Sequence, residues 1–330
     1  MPLFTRRYNR SHHTRLFPHT ALTSATASRI VSVEDTPQGI RSVYDTLKTA
    51  HARLERFAWL GDELAIAIWQ RDGGPEMTSY LEPGHHTLSC YLDGGYRTER
   101  ETMPGIYGAP SRLCALPGEH ESRWWVPAPM RFMHIYFLPG HFTRRAVVEL
   151  DREPRELTLA DRTYFEDPQM AALCLDLAQR DWEDADARLY ANETVHELLN
   201  RLLHTQSARA PSNPRGGLSP SARRTLRDYI DAHLDSAITL GELARVANLS
   251  EFHLARMFTL SFGMSPHAWI TERRVDRARH LLRTTDLPLD QIASQCGYAD
   301  PSHLSHRFRG VLNVSPGRYR KVLGPDNPAR

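Results

Sequence analysis

The chain reads TLGELARVANLSEFHLARMFTLSFGMSP from Thr239 to Pro266, and it reads PLDQIASQCGYADPSHLSHRFRGVLNVSP from Pro288 to Pro316. The two passages match at an offset of about 50 residues, with correspondence of Ala244 to Ala293, Leu254 to Leu304, Phe258 to Phe308, and Ser265-Pro266 to Ser315-Pro316. Each passage predicts a short helix, a tight turn, a second helix and the start of a further helix. We interpret the repeat as two helix-turn-helix units in tandem, at 239–258 and 289–308.

Residues that favour turns and helix starts lie at the matching places in both copies. Asn248 stands in the first turn, where a positive φ is needed, and Ser250 precedes a helix that we expect to begin at Glu251. In the second copy, Asp300 is the expected N-cap and Pro301 the first helical residue. The second helix of each unit is expected to end at a residue that tolerates left-handed backbone, Gly263 or Asn313.

This region resembles the DNA-binding domain of the AraC/XylS family of bacterial transcription regulators. The resemblance rests chiefly on CGYADPSHLSHRF at Cys296–Phe308 and NVSPGRYR at Asn313–Arg320, and it covers about residues 221–322. The sequence departs from the family pattern where Pro301, Asn313 and His306 replace a polar residue, Gly and Arg, respectively. The resemblance implies an all-α domain that binds double-stranded DNA, with RNA polymerase as a further partner.

The second helix of each unit has side chains that remain free to face DNA once the apolar core positions are removed. Arg256 is the best base reader, because a guanidinium can donate two hydrogen bonds to guanine, and Phe252 can pack on a thymine methyl group. The other candidates are Glu251, Ala255, Ser302, His303, His306 and Arg307 for bases, and Arg309, Arg318 and Arg320 for phosphates. The alternative interpretation is that all of these are ordinary solvated side chains.

A single helix from Pro266 to about Arg283 is predicted to connect the two units. Its apolar stripe contains Trp269, Ile270, Val275, Ala278, Leu281 and Leu282. We expect Arg273, Arg277 and Arg279 to lie off that stripe. Both units on one rigid helix would present their second helices to successive major-groove segments about 34 Å apart.

Charge and composition limit the classes of function. Residues 219–324 contain 15 Arg and Lys against 10 Asp and Glu, a net charge of +5, and the rest of the 330 residues carry −3. Only the C-terminal third therefore has the sign suited to a polyanion. Four scattered cysteines and the lack of an apolar run near ~20 residues favour a cytoplasmic protein. The basic residues 1–30 lack a following apolar segment, which predicts a disordered tail and no secretion signal.

Residues 31–160 alternate short apolar segments with turns rich in Gly and Pro. The predicted strands are Leu64–Trp69, His86–Leu92, Gly105–Tyr107, Leu113–Leu116, Ser122–Val126 and Met130–Phe137. This spacing is typical of an all-β barrel or sandwich. The pattern and its place in the chain resemble the cupin-like effector domain that often precedes an AraC-type DNA-binding domain.

Histidines in this region raise the alternative of a cupin-type metalloenzyme fused to a DNA-binding module. The residues are His85, His86, His120 and His134, but the spaced His-x-His with a following Glu is missing. Adjacent strand residues point to opposite faces, so His85 and His86 do not readily bind one ion. We therefore expect no metal, no cofactor and no enzymatic activity.

Aromatic residues are frequent between 59 and 137, and strand alternation would turn some of them inward. They either fill a core or, with arginines at the mouth, bind a small aromatic or carboxylated effector. The candidates for effector binding are Trp69, Arg97, Tyr107, Arg112, Arg123, Trp124 and Tyr136.

Helical periodicity begins at Pro168 and continues to Gln206, within residues 161–206. The apolar stripes are Met170, Leu173, Cys174 and Leu177, then Val195, Leu198, Leu199, Leu202 and Leu203. They predict a helical hairpin that either packs on the β domain or forms a dimer interface. Residues 207–220, with three prolines and two glycines, predict a flexible linker that lets the domains reorient.

The sequence therefore predicts a cytoplasmic, sequence-specific DNA-binding transcription regulator, an activator controlled by a small organic effector, with a homodimer as a possible assembly. The expected fold is a multidomain α and β chain, in which a cupin-like β-barrel or sandwich with a helical hairpin precedes residues 221–322, an all-α tandem helix-turn-helix domain. Two alternatives stay open: the cupin-type metalloenzyme fusion, and a ligand-independent regulator whose N-terminal domain makes only protein contacts.

Overall fold

The computed structural model describes residues 41–210 and 215–325, so the predicted tail at 1–30 lies outside the described residues. The first elements are α1 (Arg41–Thr49), β1 (Ala52–Gly61), β2 (Leu64–Arg71), β3 (Met77–Leu81), β4 (His86–Gly94), β5 (Glu99–Arg100), β6 (Leu113–Leu116), β7 (Glu121–Trp125) and β8 (Met130–Phe137). They are followed by α2 (Pro139–Leu150), a turn of 3-10 helix (Pro154–Glu156), β9 (Leu157–Leu159), β10 (Arg162–Phe165), α3 (Pro168–Gln179), α4 (Ala185–Gln206) and β11 (Ser207–Arg209).

The C-terminal elements are all helices. They are α5 (Pro220–Ala232), α6 (Leu240–Ala247), α7 (Glu251–Phe262), α8 (Pro266–Thr284), α9 (Leu289–Gln295), α10 (Pro301–Leu312) and α11 (Pro316–Leu323). Within the described residues, no helix combines the length and the apolar character that crossing a membrane requires.

The N-terminal region is a sandwich built on a six-stranded antiparallel sheet in the order β1-β2-β8-β4-β6-β10. In β2, Leu64, Ile66 and Ile68 pack on one face against α2, α3 and α4, which cover that side of the sheet. Ala65, Ala67 and Trp69 point to the other face, which a three-stranded sheet (β3-β7-β5) and α1 cover. Because both faces are buried, the strand is apolar throughout and not alternating.

The predicted fold class is confirmed, in its sandwich form. Among the described residues the two sheets stay separate and do not close into a barrel. The predictions of Leu113–Leu116 and Met130–Phe137 coincide with β6 and β8. Gly105–Tyr107 was wrong as a strand, because only Tyr107 pairs, through an isolated bridge to Glu99.

β1 was not predicted from the sequence, because charged residues interrupt its apolar pattern. Glu55 forms a bidentate ion pair with Arg131 of β8 at 2.7 Å. Arg56 donates to the backbone carbonyls of Ala178 and Arg180 and stacks on the Trp182 ring. These charges are satisfied by tertiary partners, which the local sequence does not reveal.

α3 and α4 form the hairpin expected between Pro168 and Gln206, and their N-caps are Asp167 and Asp184. Their apolar stripes lie in the core beneath the six-stranded sheet. The leucines considered for a dimer interface, Leu198, Leu199, Leu202 and Leu203, are at most 4% exposed. The hypothesis that these side chains form a dimer interface was therefore wrong, since the fold of the single chain already buries them.

Part of the predicted flexible linker is ordered. Ser207–Arg209 form β11, which pairs antiparallel with β9. Beyond the undescribed residues 211–214, Arg155 donates to the carbonyls of Arg215 and Gly216. These contacts hold both ends of the segment against the N-terminal region, and the other predicted domain boundaries stay predictions.

The two helix-turn-helix units have separate cores that share α8. Trp269 and Ile270, at the start of α8, pack with α5, α6 and α7. Val275, Ala278 and Leu282, further along, pack with α9, α10 and α11. One helix thus fixes the second unit relative to the first, as the sequence predicted.

The predicted turn and cap residues are confirmed. Asn248 has φ 54° and Asn313 has φ 58°, both left-handed. The side chain of Ser250 accepts from the His253 amide, and that of Asp300 accepts from the His303 amide. Local hydrogen bonds therefore set the start of α7 and of α10.

Leu202→Ala should lower the free energy of unfolding by about 2–5 kcal/mol, because it opens a cavity in the core shared by α4 and the sheet. Glu197→Ala, at an exposed position of the same helix, should change it by less than about 0.5 kcal/mol. Chemical denaturation measures both values, and sedimentation measures assembly. A Leu202→Ala protein of unchanged stability that loses a dimer would contradict the burial of Leu202 in the core of the single chain.

Candidate functional site

α7 and α10 expose most of the side chains that were predicted to contact DNA. Phe252 is 83% exposed, although it is large and apolar. The other exposed candidates on these helices are Glu251, Arg256, Ser302, His303, His306, Arg307 and Arg309, and Ala255 is half-buried. Within the described residues, the guanidinium groups of Arg256, Arg307 and Arg309 make no hydrogen bond or ion pair. Only His303 has a ring contact, an edge-to-face arrangement with Tyr298 at 5.2 Å.

The C-terminal halves of the same helices contact the rest of the chain. On α7, Ser261 accepts a hydrogen bond from the Leu218 amide at 2.8 Å. On α10, the carbonyl of Val311 accepts from the Asp62 amide in the β1–β2 turn at 2.9 Å. The C-terminal half of each helix is thus held against the N-terminal region or the segment before α5. One face of the N-terminal half stays exposed, and this is the part that a helix-turn-helix inserts into a major groove.

Two of the predicted phosphate contacts already have protein partners. Arg318 forms ion pairs with Asp186 at 2.6 Å and Asp184 at 3.6 Å, at the start of α4. Arg320 is half-buried and donates to the Leu287 carbonyl. A phosphate contact by Arg318 requires release of an exposed ion pair, and exposed ion pairs contribute little to stability.

The β1–β2 turn fits closely against α10. Gly61 has φ +83°, and a Cβ there would lie 2.9 Å from the Val311 carbonyl oxygen. Only glycine combines this left-handed conformation with such an approach. The side chain of the next residue, Asp62, is 10% exposed and directs its carboxylate towards Arg279 of α8.

A buried ionic network joins α8 to the N-terminal region through Arg279. Its guanidinium lies 2.7 Å from Glu193, 3.1 Å from the Asn192 side chain and 3.3 Å from Asp62. His196 approaches Asp62 at 2.9 Å. The expectation that Arg279 would lie off the buried stripe was wrong, because it is only 9% exposed and has these partners. Arg273 and Arg277 are half-buried.

The network holds its two carboxylates in the charged form. Burial alone would raise the pKa of Asp62, but the His196 hydrogen bond and the neighbouring positive charges hold that pKa well below its usual range. Burial likewise opposes ionisation of Glu193, and the charges of Arg279 and Arg283 overcome it and lower its pKa to about 2. The two cations Arg279 and Arg283 balance the two ionised acids Asp62 and Glu193, so the charges in the network are compensated.

A second candidate site is a cavity of about 50 Å³ between the two sheets. Of the proposed effector residues, only Trp124 lines it. Trp69 and Tyr136 are buried in the surrounding core, where the indole N–H donates to the Tyr136 hydroxyl at 3.0 Å. The remaining four lie outside the cavity, since Arg97 and Tyr107 are exposed while Arg112 and Arg123 form ion pairs with Glu166 and Glu101.

Most residues of the cavity lining were not among the predicted effector-binding residues. The polar lining residues that it did not select are Arg71, Tyr80, Thr87, Ser89, Tyr91, Thr98, His120 and His134. The sequence pattern gave little indication of these residues. Arg71, for example, ends an apolar strand whose composition predicts only a buried core strand. Burial lowers the pKa of His134 to about 3, so its imidazole is neutral. No group of three or more His, Cys, Asp or Glu side chains suited to a metal ion occurs within residues 41–210 and 215–325.

Comparison with known families matches residues 243–322 to a helix-turn-helix domain family. The transcriptional activator NphR of Rhodococcus is 37% identical over 87 residues, covering 26% of each chain. A putative AraC-like transcription regulator of Streptomyces lividans is 30% identical over 194 residues, covering 57% of this chain and 64% of its own. The C-terminal domain of AraT from Geobacillus stearothermophilus is a similar solved structure, at 34% identity and TM-score 0.31, covering 34% of this chain and 92% of that one.

Two helix-turn-helix units on a shared helix place the C-terminal region in the class of regulator DNA-binding domains. Residues 243–322 are a helix-turn-helix domain of the AraC type, which confirms the resemblance seen in the sequence. The relatives are named as transcription regulators, which are not enzymes. The chain matches less than two thirds of the length of these curated relatives.

Glu272→Gln should make stability less dependent on pH. Glu272 lies on α8 near Arg144, Asp62, Asp276 and Glu63, and burial with these acidic neighbours raises its pKa to about 7, while Arg144 opposes the shift. The folded pKa exceeds the unfolded value near 4.5, so the wild type loses stability as pH rises from about 4.5 to 7.

The variant lacks this loss, so its free energy of unfolding relative to wild type should increase by about 1–3 kcal/mol between pH 5 and pH 8. Chemical denaturation at both pH values measures it, with Glu197→Gln on exposed α4 surface as the control. A difference between Glu272→Gln and wild type that stays constant with pH would contradict the assignment.

Proposed function

We propose that this protein is a sequence-specific DNA-binding transcription regulator whose N-terminal sandwich binds a small organic effector. One observation above all supports it: the exposed faces of α7 and α10 carry Arg256 and Arg307, which have no ion-pair partner within the described residues. Both helices belong to units that share α8, so one chain would present them to an extended DNA site.

Arg256 is proposed as the principal base reader, and Phe252 beside it as a contact to a thymine methyl group. On α10, Ser302, His303, His306 and Arg307 would face the second groove segment, and Arg309 the phosphates. Arg318 would contact phosphate after it leaves Asp184 and Asp186. Arg320 is a weaker candidate, since its guanidinium is held by the Leu287 carbonyl.

Control by an effector would act on the docked arrangement of the two regions. Binding can shift such an equilibrium only through a difference in affinity between docked and undocked states. We propose that the protein is an activator, which is supported by the naming of the relative NphR as a transcriptional activator. We further propose that it works in the cytoplasm with RNA polymerase. A homodimer through the α3–α4 hairpin is not proposed, because its leucines are buried.

The test is fluorescence anisotropy of the full-length protein with DNA from upstream of its own gene, titrated with small aromatic and carboxylated compounds. We expect specific binding that at least one compound changes by fivefold or more. Specific binding that no compound alters would favour the ligand-independent alternative. Failure to prefer any genomic site over random DNA in a genome-wide selection would overturn the DNA-reading proposal.

Arg256→Ala should weaken binding to the specific site by about 1–3 kcal/mol and leave binding to random DNA nearly unchanged, because it removes a base contact. The matched control is Arg152→Ala, which removes an exposed arginine outside the C-terminal helices. Anisotropy titrations on both DNAs measure the difference. An equal loss on random DNA would show that Arg256 contacts only phosphates.

A further inference from the structure

Four arginines are buried among the described residues, and one of them lacks a carboxylate. Arg100 forms a bidentate ion pair with Asp161 at 2.6 Å. Arg223 has Glu153 at 3.6 Å, and Arg279 has Glu193 at 2.7 Å. Arg71 is only 5% exposed, yet no ion pair with any described residue compensates it. A buried charge without a counter-charge is costly and rarely retained without a reason.

The guanidinium of Arg71 lines the cavity between the two sheets. Its hydrogen bond within the described residues is from Nη1 to the Thr78 hydroxyl at 2.7 Å, and its Nε has no partner there. The cavity wall contains no Asp or Glu. The fork of donors that suits a carboxylate is therefore present and largely unused.

A second orphan polar atom lies in the same wall. His120 Nδ1 is 2.6 Å from the Pro117 carbonyl, so Nδ1 carries the proton and donates. Its Nε2 is then an acceptor, and it is buried without a partner among the described residues. Both buried polar atoms lack a partner among the described residues, and a ligand that enters the cavity can complete them.

The charge of the cavity limits what that ligand is. Burial lowers the pKa of His120 and His134, so both imidazoles are neutral, and burial raises the pKa of Cys114 to about 12, so its thiol is protonated. Arg71 is then the single charged group in the wall. One guanidinium matches a monoanion better than a phosphate dianion. The remaining wall combines the neutral hydroxyl groups of Thr87, Ser89 and Thr98 with apolar and aromatic side chains. The apolar part contains Leu116, Trp124, Val126 and Phe132.

We propose that the cavity binds a small organic monocarboxylate, with the carboxylate on Arg71 and an aromatic or aliphatic body against the apolar wall. This inference rests on the proposed function, because it names the class of effector. Proposed candidates at Arg97, Arg112 and Arg123 are replaced in this role by Arg71, which the fold places inside.

α1 covers this site. Val43 and Leu47 on α1 line the cavity, and Arg71 also borders a groove on the outer side of α1, with Thr49 and Met77. A volume of about 50 Å³ holds roughly three or four waters, too few for a benzoate-sized molecule. Entry of the ligand therefore requires α1 to move away from the sheet, so that the cavity opens beside Arg71.

The test measures binding of benzoate, phenylacetate and hexanoate to the full-length protein by calorimetry and thermal shift, beside their neutral amides and phenyl phosphate. At least one acid should bind tenfold or more tightly than its amide and than phenyl phosphate. Arg71→Met should abolish that preference, and Arg71→Lys should keep part of it. Arg97→Met, which removes an exposed arginine of the same region, should behave as wild type.

Without ligand, Arg71→Met should melt no lower than wild type, because it removes an uncompensated buried charge. Absence of binding by all three acids, equal binding of acids and amides, tighter binding of phenyl phosphate, or unchanged acid binding by Arg71→Met would each overturn the site. Specific DNA binding in those cases would leave the DNA-reading proposal intact. Arg71-dependent acid binding with unaltered DNA affinity would support the site and refute effector control.

Discussion

The packing of the helix-turn-helix units against the sandwich depends on the burial of one guanidinium. Arg279 on α8 is compensated only if Asp62 from the β1–β2 turn and Glu193 from α4 meet it there. Removing one member of such a network leaves uncompensated charge and costs about 3–5 kcal/mol. Separating the two regions as a whole costs less than removing one charge, because all of the separated charges are then hydrated by water. A polar interface of this kind can therefore hold firmly and still be released, as a regulator requires.

The helix-turn-helix region could be predicted in detail because the residues that set its turns and helix ends act on near neighbours in the sequence. Asn248 in a left-handed turn and Asp300 as an N-cap each act on residues within one helical turn. The Ser-Pro pairs at 265–266 and 315–316 likewise start α8 and α11 by capping the amide three residues on. Strands such as β2 and β8 could also be predicted, because a strand that is buried on both faces has a continuous apolar sequence.

Apart from Trp124, the side chains of the cavity and of the network around Arg279 could not be assigned from the sequence, because their roles depend on distant partners. Arg279 and Asp62 are 217 residues apart, so nothing near either residue shows that they meet. Arginines at 97, 112 and 123 were chosen for charge, yet exposed charge is the ordinary state of an arginine. Arg71 differs from them only in being enclosed without an acid, a property that belongs to the fold and not to the sequence around it.

The cavity and the interdomain network lie at opposite ends of one strand. β2 begins directly after the turn that carries Asp62 and ends at Arg71, a span of about 23 Å at roughly 3.3 Å per residue. β2 is paired on both sides, with β1 and β8, and is buried on both faces, so it cannot deform independently of the sheet. A carboxylate at Arg71 would act on the same rigid element whose turn contacts α8 and α10. Coupling between ligand binding and the docking of the two regions then requires no long chain of separate contacts. It requires only that displacement of α1 changes how the sheet packs against α8 and α10.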